Sequence, residues 1–443
     1  MKKITAVIAL ALIFSLLAGI TAFAEPGYAY GEGVLNEFAP GWAAIQADET
    51  VISLTPGACQ GEIRFGWLSK DENSRFMISE KADMSASKEI EVETSGAIDG
   101  YISNKVTVSS LEEGKTYFYS YTENGVWSEP APVSVQNDED FTVLYVSDAQ
   151  IGRSGEETLE EVLIRDTCGW NYTVNKMTGR YPEAAFAISG GDQFQSPDSI
   201  TQMKAYLAPE ALRSLPVANT IGNHDDGATL YGDIFNNPNE VKELFGDEAG
   251  TGYYYTYGDV LFITVNSNNN FLFDTAKVLK SAVKAHPDAK WRVVTMHHNP
   301  YSASLSDDEY SEERLLFSAL YDCYDIDLVL SGHDHFYSRT EPMYAGEKAK
   351  GEGTVYVQSS SASGSNYDPL PDELASFTVS AFDVRVPTYT ALTFTDGGII
   401  GTTIRTDTDE IIDSFEVKDN ASDSSADIFT VMISMIKTLF SMI

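Results

Sequence analysis

The chain has 443 residues, of which 43% are hydrophobic, and a net charge of −37 from 66 acidic and 29 basic side chains. The apolar fraction excludes a globally disordered protein, and the length predicts two domains with appended segments. The acidic balance excludes nucleic acid as a partner, and it means that a phosphorylated substrate would need a local positive centre such as bound metal.

The first 24 residues have the pattern of a secretory signal peptide. Lys2 and Lys3 precede a largely apolar run over 4–20, and residues 22–24 (Ala-Phe-Ala) fit a cleavage site. The pattern predicts a secreted or extracytoplasmic protein. An uncleaved membrane anchor is the alternative, because the run is near the shortest length that spans a bilayer.

Residues 25–137 are predicted to form a small all-β sandwich. Runs with alternating apolar side chains, at 62–67 and 115–121 among others, are separated by turn signals such as Asn124-Gly125. This pattern is typical of a fibronectin type III or immunoglobulin-like domain. We expect it to be structural, or to form a wall beside an active site.

Residues 138–417 alternate between predicted strands and helices, which indicates an α/β domain. The predicted strands are 141–146, 184–188, 216–221, 260–265, 291–296 and 328–330. The predicted helices are 156–175, 275–285 and 312–324. The chain is again rich in predicted strands from 354 to 415, and the serine-rich segment 359–365 is expected to be a flexible loop.

Residues 418–443 are predicted to be a linker followed by an apolar tail. From 428 to 443 the few polar residues fall on one stripe of a helix. Such a helix would be about 24 Å long, which is short of a bilayer core of ~30 Å. It favours contact with a membrane surface or a partner, and a helix folded back on its own protein is equally open.

Polar residues follow the predicted strands of the α/β domain. Five of the six histidines lie in these post-strand loops: His224, His297, His298, His333 and His335. The carboxyl ends of strands are where α/β sheets place their sites. Asp, Asn and His together suit Zn, Mn or Fe, and seven ligands suit two ions that share a carboxylate. The seven predicted metal ligands are Asp148, Gln150, Asp192, Asn223, His297, His333 and His335.

These motifs resemble a known family. The motifs are Asp148-x-Gln150, Gly191-Asp192, Gly222-Asn223-His224-Asp225, His297 and Gly332-His333-x-His335. Their order and spacing are similar to those of the calcineurin-like metallophosphoesterases, over residues 141–415. The preceding β-sandwich narrows the resemblance to the purple acid phosphatases. The resemblance implies a two-sheet sandwich flanked by helices, preceded by the small all-β domain.

The resemblance also implies roles for the residues. Asp192 would bridge two metals. The first metal would be completed by Asp148, Gln150 and His335, and the second by Asn223, His297 and His333. His224 would face the scissile ester as a general acid or charge stabiliser, oriented by Asp225. His298 would contact substrate or support the ligands, and a packed loop histidine is the alternative.

Two positions depart from the family pattern. Purple acid phosphatases have a tyrosinate ligand three residues after the bridging Asp, where this chain has Gln195. Gln150 stands where many relatives have His. Without the tyrosinate to balance a ferric ion, we expect two divalent ions (Fe, Mn or Zn) and a colourless protein.

The implied reaction is hydrolysis of a small phosphate monoester by a metal-bound hydroxide, with His224 assisting departure of the leaving group. A phosphodiesterase or nucleotide hydrolase would use the same motifs. A non-catalytic cell-surface binding protein, using the sandwich and the tail, is the alternative from a different class.

Overall fold

The structure is a computed structural model. It describes residues 30–49, 51–137, 139–156, 158–227, 229–242, 252–268, 272–306, 314, 317–349 and 353–418. The predicted signal peptide and the apolar tail lie outside the described residues. Within the described ranges, no helix combines the length and apolar character needed to cross a membrane.

The described helices and strands agree with a mixed α/β chain. The α-helices are α1 (Glu32–Phe38), α2 (Trp42–Ala47), α3 (Leu159–Arg180), α4 (Ile200–Leu207), α5 (Leu230–Ile234), α6 (Leu272–Ala285) and α7 (Ser318–Cys323). Short 3₁₀ turns occupy Ala39–Gly41, Ile98–Gly100 and Glu210–Arg213. The strands of the N-terminal part are β1 (Ser53–Pro56), β2 (Ile63–Ser69), β3 (Phe76–Ser79), β4 (Lys88–Ile90), β5 (Glu93–Gly96), β6 (Ile102–Val108), β7 (Thr116–Glu123), β8 (Val126–Trp127) and β9 (Ala131–Ser134).

The strands of the second part follow in chain order. They are β10 (Phe141–Val146), β11 (Phe186–Ser189), β12 (Val217–Asn219), β13 (Tyr253–Tyr257), β14 (Val260–Thr264), β15 (Trp291–Thr295), β16 (Leu328–Ser331), β17 (Tyr337–Thr340), β18 (Met343–Tyr344), β19 (Glu347–Lys348), β20 (Val355–Gln358), β21 (Thr378–Phe382), β22 (Thr388–Phe394), β23 (Ile399–Arg405) and β24 (Ile411–Val417). The six strands predicted between 141 and 330 all form. Helix 312–324 is shorter than predicted in the described residues, where it is α7.

The first nine strands form a β-sandwich. One sheet has the order β1-β2-β6-β5, and the other has β4-β3-β7-β8 with β9 also on β7. Side chains from both sheets, including Phe65, Trp67 and Tyr119, share one buried cluster. The segment 25–137 nevertheless also contains helices α1 and α2, which the sequence did not predict. Trp42 of α2 is buried in the same cluster as Trp170 of α3, so this segment packs on the α/β domain.

Two sheets and two helical layers form the α/β domain. The first sheet has the order β12-β11-β10-β22-β23-β24, and the second has β13-β14-β15-β16-β20-β17-β21. Val143 and Phe186 of the first sheet pack against Phe262 and Val293 of the second. Helices α3 and α4 cover the first sheet, while α6 and α7 cover the second. The predicted two-sheet sandwich flanked by helices, preceded by an all-β region, is therefore confirmed.

The parallel strands bring their ends to one edge. Strands β10, β11 and β12 are parallel neighbours, as are β14, β15, β16 and β20. Every residue of β10 is buried, as expected for a strand covered on both faces. The loops that leave these strands are the ones with the polar motifs.

The serine-rich segment 359–365 is not the flexible loop that its composition predicted. Ser359, Ser361 and Ser363 are each at most 1% exposed. Thr173 of α3 donates a hydrogen bond of 2.6 Å to the carbonyl of Ala362. A Cβ on Gly169 of α3 would overlap the Ser363 carbonyl, so small residues on both sides permit this close approach. Composition did not predict that this segment is buried, because serine occurs both packed against buried backbone and exposed to water.

Candidate metal centre

The loops after β10, β11, β12, β15 and β16 converge on one place. The backbone N–H of Asp148 donates to the carbonyl of Gly191 at 3.0 Å, and that of Gln150 donates to Asp192 at 2.7 Å. The first two loops are thereby tied together along the backbone. All seven predicted ligand residues lie in these five loops, at the carboxyl ends of their strands.

Asp148 and His335 form one side of the site. Nε2 of His335 lies 3.3 Å from Oδ1 of Asp148. The other ring nitrogen of His335 lies 3.2 Å from the carbonyl of Asn366. A carbonyl at Nδ1 fixes the proton there and leaves the Nε2 lone pair for a cation.

Asn223, His297 and His333 form the other side. Oδ1 of Asn223 lies 3.0 Å from Nε2 of His297 and 3.1 Å from Nδ1 of His333. Nδ1 of His297 lies 3.0 Å from the carbonyl of Gly190, so the backbone again fixes the ring and directs Nε2 into the site. Two imidazole nitrogens thus lie within hydrogen-bond distance of Asn223 Oδ1, and these three atoms can act together as ligands.

Asp192 lies between the two sides. Its Oδ2 is 3.4 Å from Nε2 of His297, and its Oδ1 accepts a 2.9 Å hydrogen bond from the backbone N–H of His224. Ligand atoms of Asp148, Asp192 and His297 all lie within 4.8 Å of one another. The position of Asp192 is that expected of a carboxylate shared between two ions.

Gln150 supplies a test of whether these residues fit a metal. Its Oε1 is buried and has no hydrogen-bond partner among the described residues. A buried carbonyl oxygen without a partner is costly, by about 1–3 kcal/mol. A cation at this position would satisfy it, and the surrounding oxygen and imidazole donors suit Zn, Mn or Fe. The residues therefore fit a metal.

The site residues have an unusual backbone. Asp148, Gln150, Asp192, His333 and His335 all have positive φ, from 36° to 79°. This left-handed region is sparsely populated by residues other than glycine, and such strain concentrates at functional sites. These turns direct the side chains into the site. If the strands continued instead, the same side chains would point elsewhere.

Glycines give the ligands their space. A Cβ on Gly332 would overlap Oγ of Ser147 and Oδ2 of Asp148. A Cβ on Gly222 would overlap the carboxylate of Asp192. Two carboxylates can therefore approach the backbone only because these residues have no side chain.

The electrostatics couple the acids to the histidines. Burial alone raises the pKa of Asp148, but His335 and His297 lower that pKa to about 2. Burial alone lowers the pKa of His297, but Asp192 and Asp148 raise that pKa to about 10. The Asp148 carboxylate is thus held ionised in a buried place that favours a positive charge, which a metal ion would supply in place of a proton.

His298 lies beside the ligands. Its Nδ1 is 2.8 Å from Oγ of Ser267, and its ring centroid is 4.4 Å from that of His333. Burial, followed by the neighbouring His297, lowers the pKa of His298 to about 2, so the ring is neutral. A ligand-capable nitrogen of His298 also lies within 4.8 Å of those of His297 and His333.

The partner of His224 differs from the expectation. Asp225 was predicted to orient His224, but its carboxylate accepts from three backbone N–H groups, those of Gly222, Gln193 and Phe194, at 2.9–3.2 Å. Asp225 is buried and ties the two loops together, so its carboxylate is engaged by backbone. The contact with Nδ1 of His224 comes from Gln195, whose Nε2 lies 3.1 Å away.

Asp166 of α3 is a further residue that the sequence did not indicate. Its Oδ2 accepts from the backbone N–H groups of Gly152, Arg153 and Ser154 at 2.8–3.3 Å. It therefore anchors the loop that follows Gln150. The signal available in the sequence was an acidic residue on the apolar face of the predicted helix 156–175.

Comparison with known proteins agrees with this geometry. Residues 141–337 match the family model of the calcineurin-like phosphoesterases. The matched range includes every residue of the candidate metal centre from Asp148 to His335.

Solved structures with this fold include a purple acid phosphatase from yellow lupin (Lupinus luteus) seeds. It has 16% sequence identity and a TM-score of 0.66, with 83% of this chain and 74% of that chain covered. The structure titled PhoD has 10% identity and a TM-score of 0.52, with 88% and 98% covered. At these identities the likeness shows a common fold. No curated protein sequence matches the chain.

Proposed function

We propose that the protein is an exported phosphomonoesterase that holds two divalent metal ions. The observation that carries the proposal is the convergence of Asp192, Asn223, His297 and His333, together with the unpartnered buried oxygen of Gln150. Fe, Mn and Zn suit these donors. The signal-peptide pattern of residues 1–24 supports export.

Each residue would have a distinct part in this site. Asp148, Gln150, Asp192 and His335 would hold one ion, and Asn223, His297 and His333 would hold the second with Asp192 shared. Bound ions would supply Lewis-acid stabilisation of the phosphoryl oxygens and an activated water. The chain's net charge of −37 makes this local positive charge necessary for a phosphorylated substrate.

His224 would act on the leaving group. Its backbone is held by Asp192, its Nδ1 is next to Gln195, and it is neither fully buried nor fully exposed. Donation from this ring to the leaving oxygen would assist departure of the alcohol, an effect typically worth ~10²–10⁴-fold.

Gln195 also bears on the metals. A glutamine at the position of the tyrosinate supplies no charge-transfer ligand, and its side-chain amide lies next to His224. We therefore expect a colourless protein with two divalent ions. A visible charge-transfer band in the pure protein would contradict this part of the proposal.

Metal analysis and a substrate panel on the mature chain test the function. We expect two ions per chain, and hydrolysis of p-nitrophenyl phosphate that exceeds hydrolysis of bis-p-nitrophenyl phosphate. The reverse preference would indicate a phosphodiesterase, and a folded protein without metal or activity would indicate a binding protein.

Asp192→Asn should remove metal and activity together. Asp409→Asn is the matched control, because Asp409 pairs with Lys176 at the surface at 2.9 Å. The control should keep both. Retention of two ions and full activity by Asp192→Asn would contradict the shared-carboxylate site.

A further inference from the structure

His224 has two contacts with one residue. Nε2 of the Gln195 side chain lies 3.1 Å from its Nδ1, and the main-chain oxygen of Gln195 lies 3.3 Å from the same atom. Among the hydrogen bonds of the described residues, none uses Nε2 of His224. Nε2 is therefore the ring nitrogen left to meet a substrate.

The backbone of Gln195 is held in place. Its N–H donates to the carbonyl of Ile151 at 3.0 Å, and Ile151 forms a bridge with Phe194. This attaches Gln195 to the loop that contains Gln150. The backbone of His224 is held independently, by its N–H bond to Asp192. Both ends of the contact are thus attached to residues of the metal centre.

We propose that Gln195 is a positioning residue that keeps a proton on Nε2 of His224. In the neutral ring, the side-chain amide donates to the lone pair of Nδ1, so the ring proton is on Nε2. In the charged ring, Nδ1–H donates to the main-chain oxygen of Gln195, and Nε2 keeps its own proton. Gln195 thus presents a donor and an acceptor to the same atom. The side-chain amide is the nearer of the two, at 3.1 Å against 3.3 Å, and a hydrogen bond from it to the Nδ1 lone pair leaves the proton of the neutral ring on Nε2. A neutral ring that donated from Nδ1 to the main-chain oxygen would have no Nε2–H and would contradict the proposal.

This inference rests on the proposed function and makes it more specific. An Nε2–H donor would stabilise the charge that develops on the leaving oxygen. Its benefit is greatest for an alkoxide and small for p-nitrophenolate, which needs little help to leave. The opposite amide orientation would place Oε1 of Gln195 against Nδ1–H, leave Nε2 as an acceptor and abolish this effect.

The first experiment measures the proton directly. ¹⁵N NMR of the zinc-loaded protein, with the ring of His224 neutral, should show its Nδ1 unprotonated and its Nε2 protonated. The chain has six histidines, so His224→Ala assigns the signals. In Gln195→Met the preference should weaken, because methionine has a similar length and no amide donor.

The second experiment measures the leaving-group dependence of kcat. We expect Gln195→Met to lose about tenfold or more with an alkyl phosphate and less than about threefold with p-nitrophenyl phosphate. Adding Gln195→Met to His224→Ala should cause no further loss, because the effect acts through His224. Gln60→Met is the control, since it removes a hydrogen bond of 3.0 Å from a side-chain amide to the main-chain oxygen of Gln136, within the β-sandwich region.

The outcomes separate the two proposals. An active wild type whose neutral His224 has its proton on Nδ1 would overturn the role of Gln195 alone. Equal losses with both substrates, or additive losses in the double variant, would also overturn it. An inactive, metal-loaded wild type would overturn the proposed function, and with it the effect on the leaving group.

Discussion

Ser361 donates a 3.0 Å hydrogen bond from Oγ to the backbone carbonyl of Asp148, across 213 positions of the chain. The N–H of Ala362 donates to the same carbonyl at 3.2 Å and to Ser147 at 2.8 Å. The buried serine-rich segment thus supports the loop that presents the first predicted ligand. Support of this kind commonly matters for metal affinity as well as stability.

Ser361→Ala should weaken metal binding. Asp148 loses one of the bonds that fix its backbone, and we expect an affinity decrease of about tenfold at the site of Asp148 and His335. Competition with a chelator measures it. Ser360→Ala is the control, because Ser360 is equally buried but bonds Thr388 at 2.8 Å. Equal affinity in the two variants would mean that the Ser361 bond does not position Asp148.

Gly332→Ala should displace Asp148. The new Cβ would overlap Ser147 Oγ and Asp148 Oδ2, and neither atom can retreat far because both residues are buried. We expect metal stoichiometry to fall below that of the wild type. Gly179→Ala in α3 is the control, because nothing lies within 4 Å of its added Cβ. The free energy of unfolding of that control should rise by up to about 1 kcal/mol, because alanine has a higher helix propensity than glycine.

Asp225→Asn should destabilise the domain. Oδ1 and Oδ2 together accept three backbone N–H bonds, and an amide group would present a donor to at least one of those donors. We expect a loss of about 1–3 kcal/mol. Thermal unfolding of the metal-free proteins measures this without a contribution from lost metal. An unchanged Tm would show that the loops keep their arrangement without this carboxylate.

Glu123 should make stability depend on pH. It is 6% exposed, and neither carboxylate oxygen has a hydrogen-bond partner in the described part of the chain. Burial, then Glu49, raises its pKa to about 7, with Asp71 and Asp48 adding to the rise and Lys204 opposing it. A raised pKa means that the folded state binds the proton more tightly than the unfolded state. Stability from this group is therefore lost as the pH rises from about 4.5 to about 7.

Glu123→Gln removes this titration. We expect the variant to be more stable than the wild type at pH 8, by about 1–2 kcal/mol or 2–4 °C in Tm, after allowance for solvent screening. At pH 4.5 the difference should vanish, because the wild-type carboxyl is then protonated in the folded state. Thermal scans at both pH values test this. A Tm gain of the same size at both would exclude titration of Glu123 as the cause.

The sequence by itself determined the local features of the molecule. Largely apolar runs such as 141–146 and 291–296 predicted the buried strands, because a strand covered on both faces is predominantly apolar. The polar residues after those strands predicted a site, since parallel strands bring their carboxyl ends to one edge. These two rules place Asp148, Asp192, Asn223 and His297 at that edge, and the resemblance to the metallophosphoesterases selected them as ligands.

Only the tertiary structure decided which of those residues contact one another. Periodicity and composition describe neighbours along the chain, whereas the contact of Gln195 with His224 and the backbone bonds of Asp225 depend on how two loops pack. The same holds for Ser361, whose partner is 213 positions away, and for Trp42, whose burial attaches the first helices to α3. A serine in a low-complexity run has no local signal of burial, because its environment is set by the distant backbone that covers it.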